Sequence, residues 1–372
     1  MRQRSDIAVI MHDLRGGGAE RAMLRLTRGF LEAGRRVELV LFQNAGDYLA
    51  EIPNGATVVN LAVPRVFEGI PALGRHLALT RPKALLSAHT HINVAAAMAR
   101  RLCSCPARHV GSERNQISQK AAAARGLRAR AVYAAAPLAY RMIYKIAAVS
   151  DGVARDLQAF AQLPASKVAV IYNPVFDADI KARLTQPMLH PWAGHGGAPF
   201  VLAVGRLATQ KDFATLLRAF ALARQHRALR LLILGEGPLR DDLANLARNL
   251  GLSPHDVSMP GFVSNPLPYM ARCAAFALSS RFEGFPNVLV EALAAGARIV
   301  ATQCPSGPDE ILADGRFGVL TPVGDAPAFA AALERVLAAP HDPQRQIERA
   351  SRFSVQRAAS EYLSLLEGEA QR

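Results

Sequence analysis

The stretch TQPMLHPWAGHGGAPF, residues 185–200, decides the fold. Pro187, Pro191 and Pro199 around Gly194, Gly196 and Gly197 cannot continue a helix or a central strand, so the chain divides here. Downstream, short apolar runs alternate with segments of helical length: FVLAV from Phe200, LRLLIL from Leu229, VSMPGF from Val257, AAFALSS from Ala274, ARIVAT from Ala297 and GVLTPV from Gly318. Upstream the same alternation runs through IAVIM from Ile7, RVELVLF from Arg36, TVVNLAV from Thr57, ALLSA from Ala84, ARHVGS from Ala107, IAAVS from Ile146 and KVAVIYN from Lys167. Several of these runs are apolar at nearly every position, as strands covered on both faces of a parallel sheet are. The pattern predicts an α/β chain of two Rossmann-like, doubly wound parallel-sheet domains facing a cleft. Residues 1–185 form the first domain, 186–198 the linker and 199–352 the second domain. Ligands of open parallel sheets sit beyond the carboxyl ends of the strands, so the loops there are the candidates for chemistry.

Length and composition agree. A chain of 372 residues, 51% hydrophobic and 20% charged, is long enough for two cores and is neither disordered nor a disulfide-stapled miniprotein. It contains no uncharged apolar run long enough to span a bilayer, and the apolar stretch after the basic start, Ile7 to Met11, is too short for a secretory leader. A cytoplasmic location is expected. Cys103, Cys105, Cys273 and Cys304 lack zinc-site spacing and read as free thiols. The net charge of +14 is lopsided: residues 1–150 carry 22 Lys and Arg against 9 Asp and Glu, whereas residues 151–190 are balanced. Such a basic half implies a face held against something anionic.

Three constellations stand at predicted strand ends. After the first strand, Gly16, Gly17 and Gly18 lead into an amphipathic helix, where backbone N–H groups can approach a phosphate; a tight turn would need the same glycines. In AVGRLATQKDF, Arg206 and Lys211 can neutralise a diphosphate leaving group, and Gly235 in LGEGPLRDDL marks a permissive turn at the same sheet edge. The most specific stretch is SSRFEGFPNVLVEALAAG. Gly284, Phe285, Pro286 and Asn287 form a turn feeding a helix, with Glu283 before it and Glu291 one turn inside, so the segment offers acceptors for hydroxyls and donors for phosphates. A glycosidase pair would need its carboxylates on opposite faces of the scissile bond, which residues of one segment serve poorly.

Together with CPSGPDEIL from Cys304, these motifs resemble, in order and across essentially the whole chain, the retaining glycosyltransferases of family 4, which have the GT-B fold. The resemblance implies that Arg206 and Lys211 bind the donor pyrophosphate, Glu291 the ribose, and Glu283 with the amides of the Gly284 to Asn287 turn the transferred sugar. It places the Gly16, Gly17 and Gly18 loop on the diphosphate from the opposite lobe. The stretch ALLSAHTHINVAAAMARR matches the family segment whose histidine faces the sugar, with His89 in frame and His91 the alternative. GSERN, from Gly111 to Asn115, is similar to members that add hexoses or hexosamines to lipid-linked bacterial glycans. The implied catalytic set is Glu283, His89, Arg206 and Lys211, and the implied donor is a UDP-sugar used as co-substrate without a cofactor or metal. The implied acceptor is a lipid-linked saccharide, and the last helix, residues 353–372, crosses back to the first domain.

Residues 114–145 contain no acid and set Leu127, Val132, Tyr133, Leu138, Tyr140, Met142, Ile143 and Tyr144 among basic side chains. They are expected to form an interfacial helix pair interrupted at Pro137 that binds an anionic membrane surface, making the protein peripheral on the inner face. Core packing of those apolar residues is the alternative. Nucleic acid is not an expected partner, because no helix-turn-helix, zinc finger or RNP string accompanies the basic tyrosine-rich segment. Asp177 and Asp179 spell a DxD but follow the strand-turn IYNPV and are not read as metal ligands. A soluble synthase of the glycogen type and a non-catalytic sugar-nucleotide sensor remain as alternative functions.

Overall fold

A computed structural model describes residues 5–15, 17–193 and 197–368. Strands β1 (Ile7–Met11), β2 (Val37–Leu41), β3 (Thr57–Asn60), β4 (Ala84–Ala88), β5 (Arg108–Glu113), β6 (Lys145–Ala148) and β7 (Val168–Val170) form one sheet. Strands β8 (Phe200–Val204), β9 (Arg230–Leu234), β10 (Val257–Gly261), β11 (Ala275–Leu278), β12 (Ile299–Thr302) and β13 (Val319–Thr321) form another. Every neighbouring pair is parallel. The spatial orders are β3-β2-β1-β4-β5-β6-β7 and β10-β9-β8-β11-β12-β13. Strand order therefore reverses between β1 and β4 in the first sheet and between β8 and β11 in the second, the switch points at which such sheets hold ligands.

The apolar runs are explained by packing on both faces. Alternate residues of β1 enter different cores: Ile7, Val9 and Met11 join Met23, Leu26 and Phe30, while Ala8 and Ile10 join Leu73, Leu77, Ile92 and Ala96. In the second sheet Val201, Ala203, Leu231 and Ile233 pack with Leu216, Phe220, Phe329 and Leu333. The helix Val355–Glu367 counts with the first sheet, in a unit made of Met1–Val175 and Val355–Arg372. It packs closely on helix Gly18–Glu32 because Gly29 has no Cβ; one built there would lie 2.6 Å from Ala359 Cβ. The fully buried Tyr362 hydroxyl meets Ser112 Oγ at 2.9 Å.

The expected boundary needs correction. Sequence assigns residues up to 185 to the first domain and makes 186–198 a linker, whereas the second unit comprises Phe176–Ser354. Side chains of that unit pin the proline-rich stretch. Asn265 Nδ2 donates to Arg183 O at 2.8 Å and Gln186 Oε1 at 2.7 Å, Tyr269 OH donates to Leu189 O at 3.1 Å, and the Arg230 guanidinium lies 5.2 Å from the Trp192 ring. Breaking secondary structure thus does not detach Gln186, Leu189 and Trp192 from the neighbouring core. Gly194 and Gly196 lie outside the described residues.

Candidate active site

In the second unit, four adjacent strand ends, those of β9, β8, β11 and β12, deliver the expected residues. The chain leaves β8 through Gly205 and the exposed Arg206, which makes no ion pair among the described residues. It then turns through Thr209–Lys211 into the helix Phe213–Ala223, capped by Asp212. A Cβ at Gly205 would stand 3.0 Å from Lys211 Cε, so glycine there lets the lysine stem lie across the strand end. Gly235 has a packing task at this edge. Its φ is +145° and a Cβ would fall 1.9 Å from Gly205 O, a separation only glycine permits.

Lys211 Nζ donates to Glu283 Oε1 at 2.6 Å, and Ser280 Oγ donates to the same oxygen at 2.6 Å. Glu283 is only 7% exposed, so this carboxylate is a neutralised, pre-aimed acceptor rather than a solvated charge. The loop around it is braced: Gln210 Nε2 donates to Phe282 O at 3.0 Å, Ser279 Oγ to Lys211 O at 2.7 Å, and Ser306 Oγ to Glu283 O. Gly284, Phe285 and Pro286 then lead into helix Asn287–Ala294, with Glu291 buried inside it. Phe285 spends its side chain on the core, edge-on to Phe353 at 5.4 Å, leaving its backbone for the loop. Gly307, at φ +96°, presses the loop after β12 against this turn; a Cβ there would meet Pro286 Cδ at 2.6 Å. Cys304 lies in that loop as a buried free thiol, pushed up to about 12 by burial and by the Glu283 charge, and so stays protonated.

Within the first unit, a histidine pair stands at the switch point of its own sheet. His89 leaves β4 at φ +76° and caps helix Thr90–Leu102. Its N–H donates to Ser112 O at 3.1 Å and its carbonyl accepts from Asn93 N at 2.8 Å. Its Nε2 lies 3.3 Å from Glu20 Oε1. His91 stacks on His89 with centroids 5.9 Å apart and is held down near 4 by burial, then by the charges of His89 and His12. Gly17 and Gly18 open helix Gly18–Glu32 as expected, whereas Gly16 lies outside the described residues.

Several residues here escaped the sequence reading. Glu20 passes for an ordinary acid in a first helical turn, yet it reaches His89. Beneath His89, the buried Glu113 carboxylate accepts from Asn93 Nδ2 at 2.9 Å, Thr90 Oγ1 at 3.2 Å and the Tyr140 hydroxyl, with burial pushing the carboxyl up. The GSERN string offered a signal, since an acid at the end of a buried strand needs buried donors.

Asp177 is held by Arg183, whose Nη2 lies 2.8 Å from both carboxylate oxygens, and among the described residues no cluster of three or more His, Cys, Asp or Glu is arranged to hold a metal. The basic helix also differs from expectation. Leu127–Met142 runs unbroken through Pro137, and the break falls before it at Gly126, φ +84°. Tyr140 and Ile143 are core residues; Leu127, Leu138 and Tyr144 are the exposed apolar side chains.

Comparison with known proteins follows the two sheets. Residues 16–178 match the family model described as Glycosyltransferase Family 4, and residues 198–339 match Glycosyl transferases group 1. An N-acetylgalactosamine-N,N'-diacetylbacillosaminyl-diphospho-undecaprenol 4-alpha-N-acetylgalactosaminyltransferase of Campylobacter jejuni is 36% identical over 188 residues, 50% of this chain and 49% of the relative. A lipopolysaccharide core biosynthesis glycosyltransferase of Rhizobium meliloti is 34% identical over 174 residues, 45% of this chain and 50% of the relative. The chain thus spans about half the length of the curated relatives it matches. Among solved structures, the fold matches a lipopolysaccharide outer core galactosyltransferase in its apo form, with a TM-score of 0.75 at 21% identity over 98% of this chain and 99% of that one. It also matches an Anabaena protein in complex with UDP and glucose, with a TM-score of 0.78 at 20% identity over 98% and 100% of the two chains. One family model covers the strand ends that carry Gly17, Glu20 and His89, the other those that carry Arg206, Lys211, Glu283 and Glu291, and together they mark the chain as a glycosyltransferase like those of family 4, with the GT-B fold.

Proposed function

We propose that this protein transfers a hexose or hexosamine from a UDP-sugar to a hydroxyl of a lipid-linked saccharide, with retention at the anomeric carbon and without a cofactor or metal. The observation that carries the reading is the exposed Arg206, without an ion-pair partner among the described residues, at the strand end beside that of the Lys211–Glu283 pair. A diphosphate leaving group develops charge as the C1–O bond breaks, and a planar guanidinium with an ammonium stabilises that charge as a divalent ion would. The acceptor oxygen bonds to C1 on the face the diphosphate leaves, and the acceptor proton passes to the departing phosphate oxygen. Glu283 and the following amides orient the sugar, Glu291 holds the ribose, and His89 serves the transferred sugar. Rate acceleration then comes from positioning and leaving-group stabilisation.

The names of the relatives support this acceptor class, since one acts on a diphospho-undecaprenol-linked saccharide and another in lipopolysaccharide core synthesis. The UDP complex of the Anabaena protein supports the choice of base. No helix among the described residues is long and apolar enough to cross a membrane. Attachment at the inner membrane face is assigned to Lys120, Arg125, Arg128 and Arg130 with Leu127 and Leu138.

A thermal-shift and calorimetry screen of UDP-, GDP- and ADP-sugars, followed by turnover before and after chelator treatment, tests the reading. A UDP-sugar should stabilise the protein most and chelation should leave turnover intact. Activity abolished by chelator and restored by magnesium or manganese would overturn the metal-free mechanism. Binding without transfer to any lipid-linked acceptor would favour the sensor.

A further inference from the structure

We propose that Glu20 is a positioning residue that fixes the ring of His89, and that position 17 is glycine to admit the Glu20 carboxylate. This rests on the reading of His89 as the residue serving the transferred sugar. The backbone of His89 is already committed, at φ +76° with its N–H on Ser112 O and its carbonyl on Asn93 N. What remains free is the imidazole. One face lies against His91, interplanar angle 18°, and the edge carrying Nε2 faces Glu20 Oε1 at 3.3 Å. A half-turn of the ring would forfeit that contact.

Glu20 reaches His89 because position 17 carries no side chain. A Cβ on Gly17 would stand 2.3 Å from Glu20 Oε2, inside van der Waals contact, so any side chain there displaces the carboxylate. The carboxylate stays ionised: burial pushes it up, but the His89 bond and charge, its own backbone N–H and the Arg114 charge outweigh this and leave it below the usual range. An ionised carboxylate only accepts, so Nε2 is the nitrogen that carries the proton toward it, and the opposite nitrogen, Nδ1, is the one turned to a sugar hydroxyl. Gly17 therefore serves an internal carboxylate as well as any phosphate.

The test uses the full chain labelled with 15N in its imidazoles, with H89Q assigning the His89 signals in long-range 1H–15N correlation spectra. In the wild type the Nε2–H proton of His89 should be protected from exchange. It should lose protection in E20A and equally in G17A, which keeps the glutamate but crowds it. A wild-type proton on Nδ1, or protection unchanged in E20A, would overturn the proposal; protection unchanged in G17A would overturn the role of Gly17. Kinetics then separate this from the reading beneath it. UDP release from the UDP-sugar that scores best in the donor screen should fall on the order of 10- to 100-fold in H89A and in E20A, with no further loss in the double variant. Full additivity would overturn positioning through His89. Unchanged turnover in H89A with the NMR result intact would overturn the role of His89 instead, leaving the Glu20 contact established.

Discussion

At the residue scale the deciding contrast is between Arg206, exposed and without an ion-pair partner among the described residues, and Lys211, tied to Glu283 at 2.6 Å. Arg206→Ala should leave the melting temperature essentially unchanged, because an exposed side chain without partners contributes within about 0.5 kcal/mol of stability. It should nonetheless weaken UDP by about 1.5–3 kcal/mol, the worth of a charge-assisted contact, read by calorimetry. Lys211→Ala should lose both, since it strands a buried carboxylate. Unchanged UDP affinity in both variants would move the donor elsewhere. The two glutamates divide differently. Glu291→Ala should weaken UDP and UDP-sugar alike, whereas Glu283→Ala should spare UDP and lower turnover and sugar discrimination; equal loss of UDP binding in both would contradict the division.

At the scale of elements, helix Leu127–Met142 shows what burial does to a composition-based reading. Ala136, Ala139 and Tyr140 follow the i, i+3, i+4 spacing of one face and are buried in the core, while Leu127 and Leu138 stand 86% and 67% exposed. Fewer apolar anchors remain for a bilayer than the sequence offered, so the proposed attachment would lean on charge, each basic group contributing about 1 kcal/mol near an anionic surface. Vesicle sedimentation should show binding that rises with anionic lipid, falls with salt and weakens when Lys120, Arg125, Arg128 and Arg130 become Gln. Absence of binding to anionic vesicles would favour a soluble acceptor.

For the whole molecule, buried neutral histidines make the fold acid-sensitive. Burial holds His109 down to about 3, where it shares a 2.8 Å contact with Ser87 Oγ, and His91 to about 4. Their folded pKa values lie below the unfolded value near 6.5, so between these limits the unfolded chain binds more protons and stability falls as pH falls. Urea midpoints should therefore drop from pH 7 to pH 4, with each histidine contributing at most about 1.4 kcal/mol per pH unit. His109→Gln should flatten the slope, and an unaltered slope would remove His109 as a cause. What the sequence determined by itself is whatever depends on near neighbours in the chain. Apolar runs with helical spacers mark all thirteen strands, and SSRFEGFPNVLVEALAAG carries its own turn, helix start and two carboxylates. What only the tertiary structure decided depends on strand order. Lys211 meets Glu283 across 72 residues because β8 lies beside β11, and Glu20 meets His89 across 69 because β1 lies beside β4. Likewise Gln186, Leu189 and Trp192 are held, and Tyr140 is core, because distant side chains reach them. Apolar periodicity is a local property of the chain, whereas a charge's partner and a side chain's burial are set by whatever the sheet brings alongside.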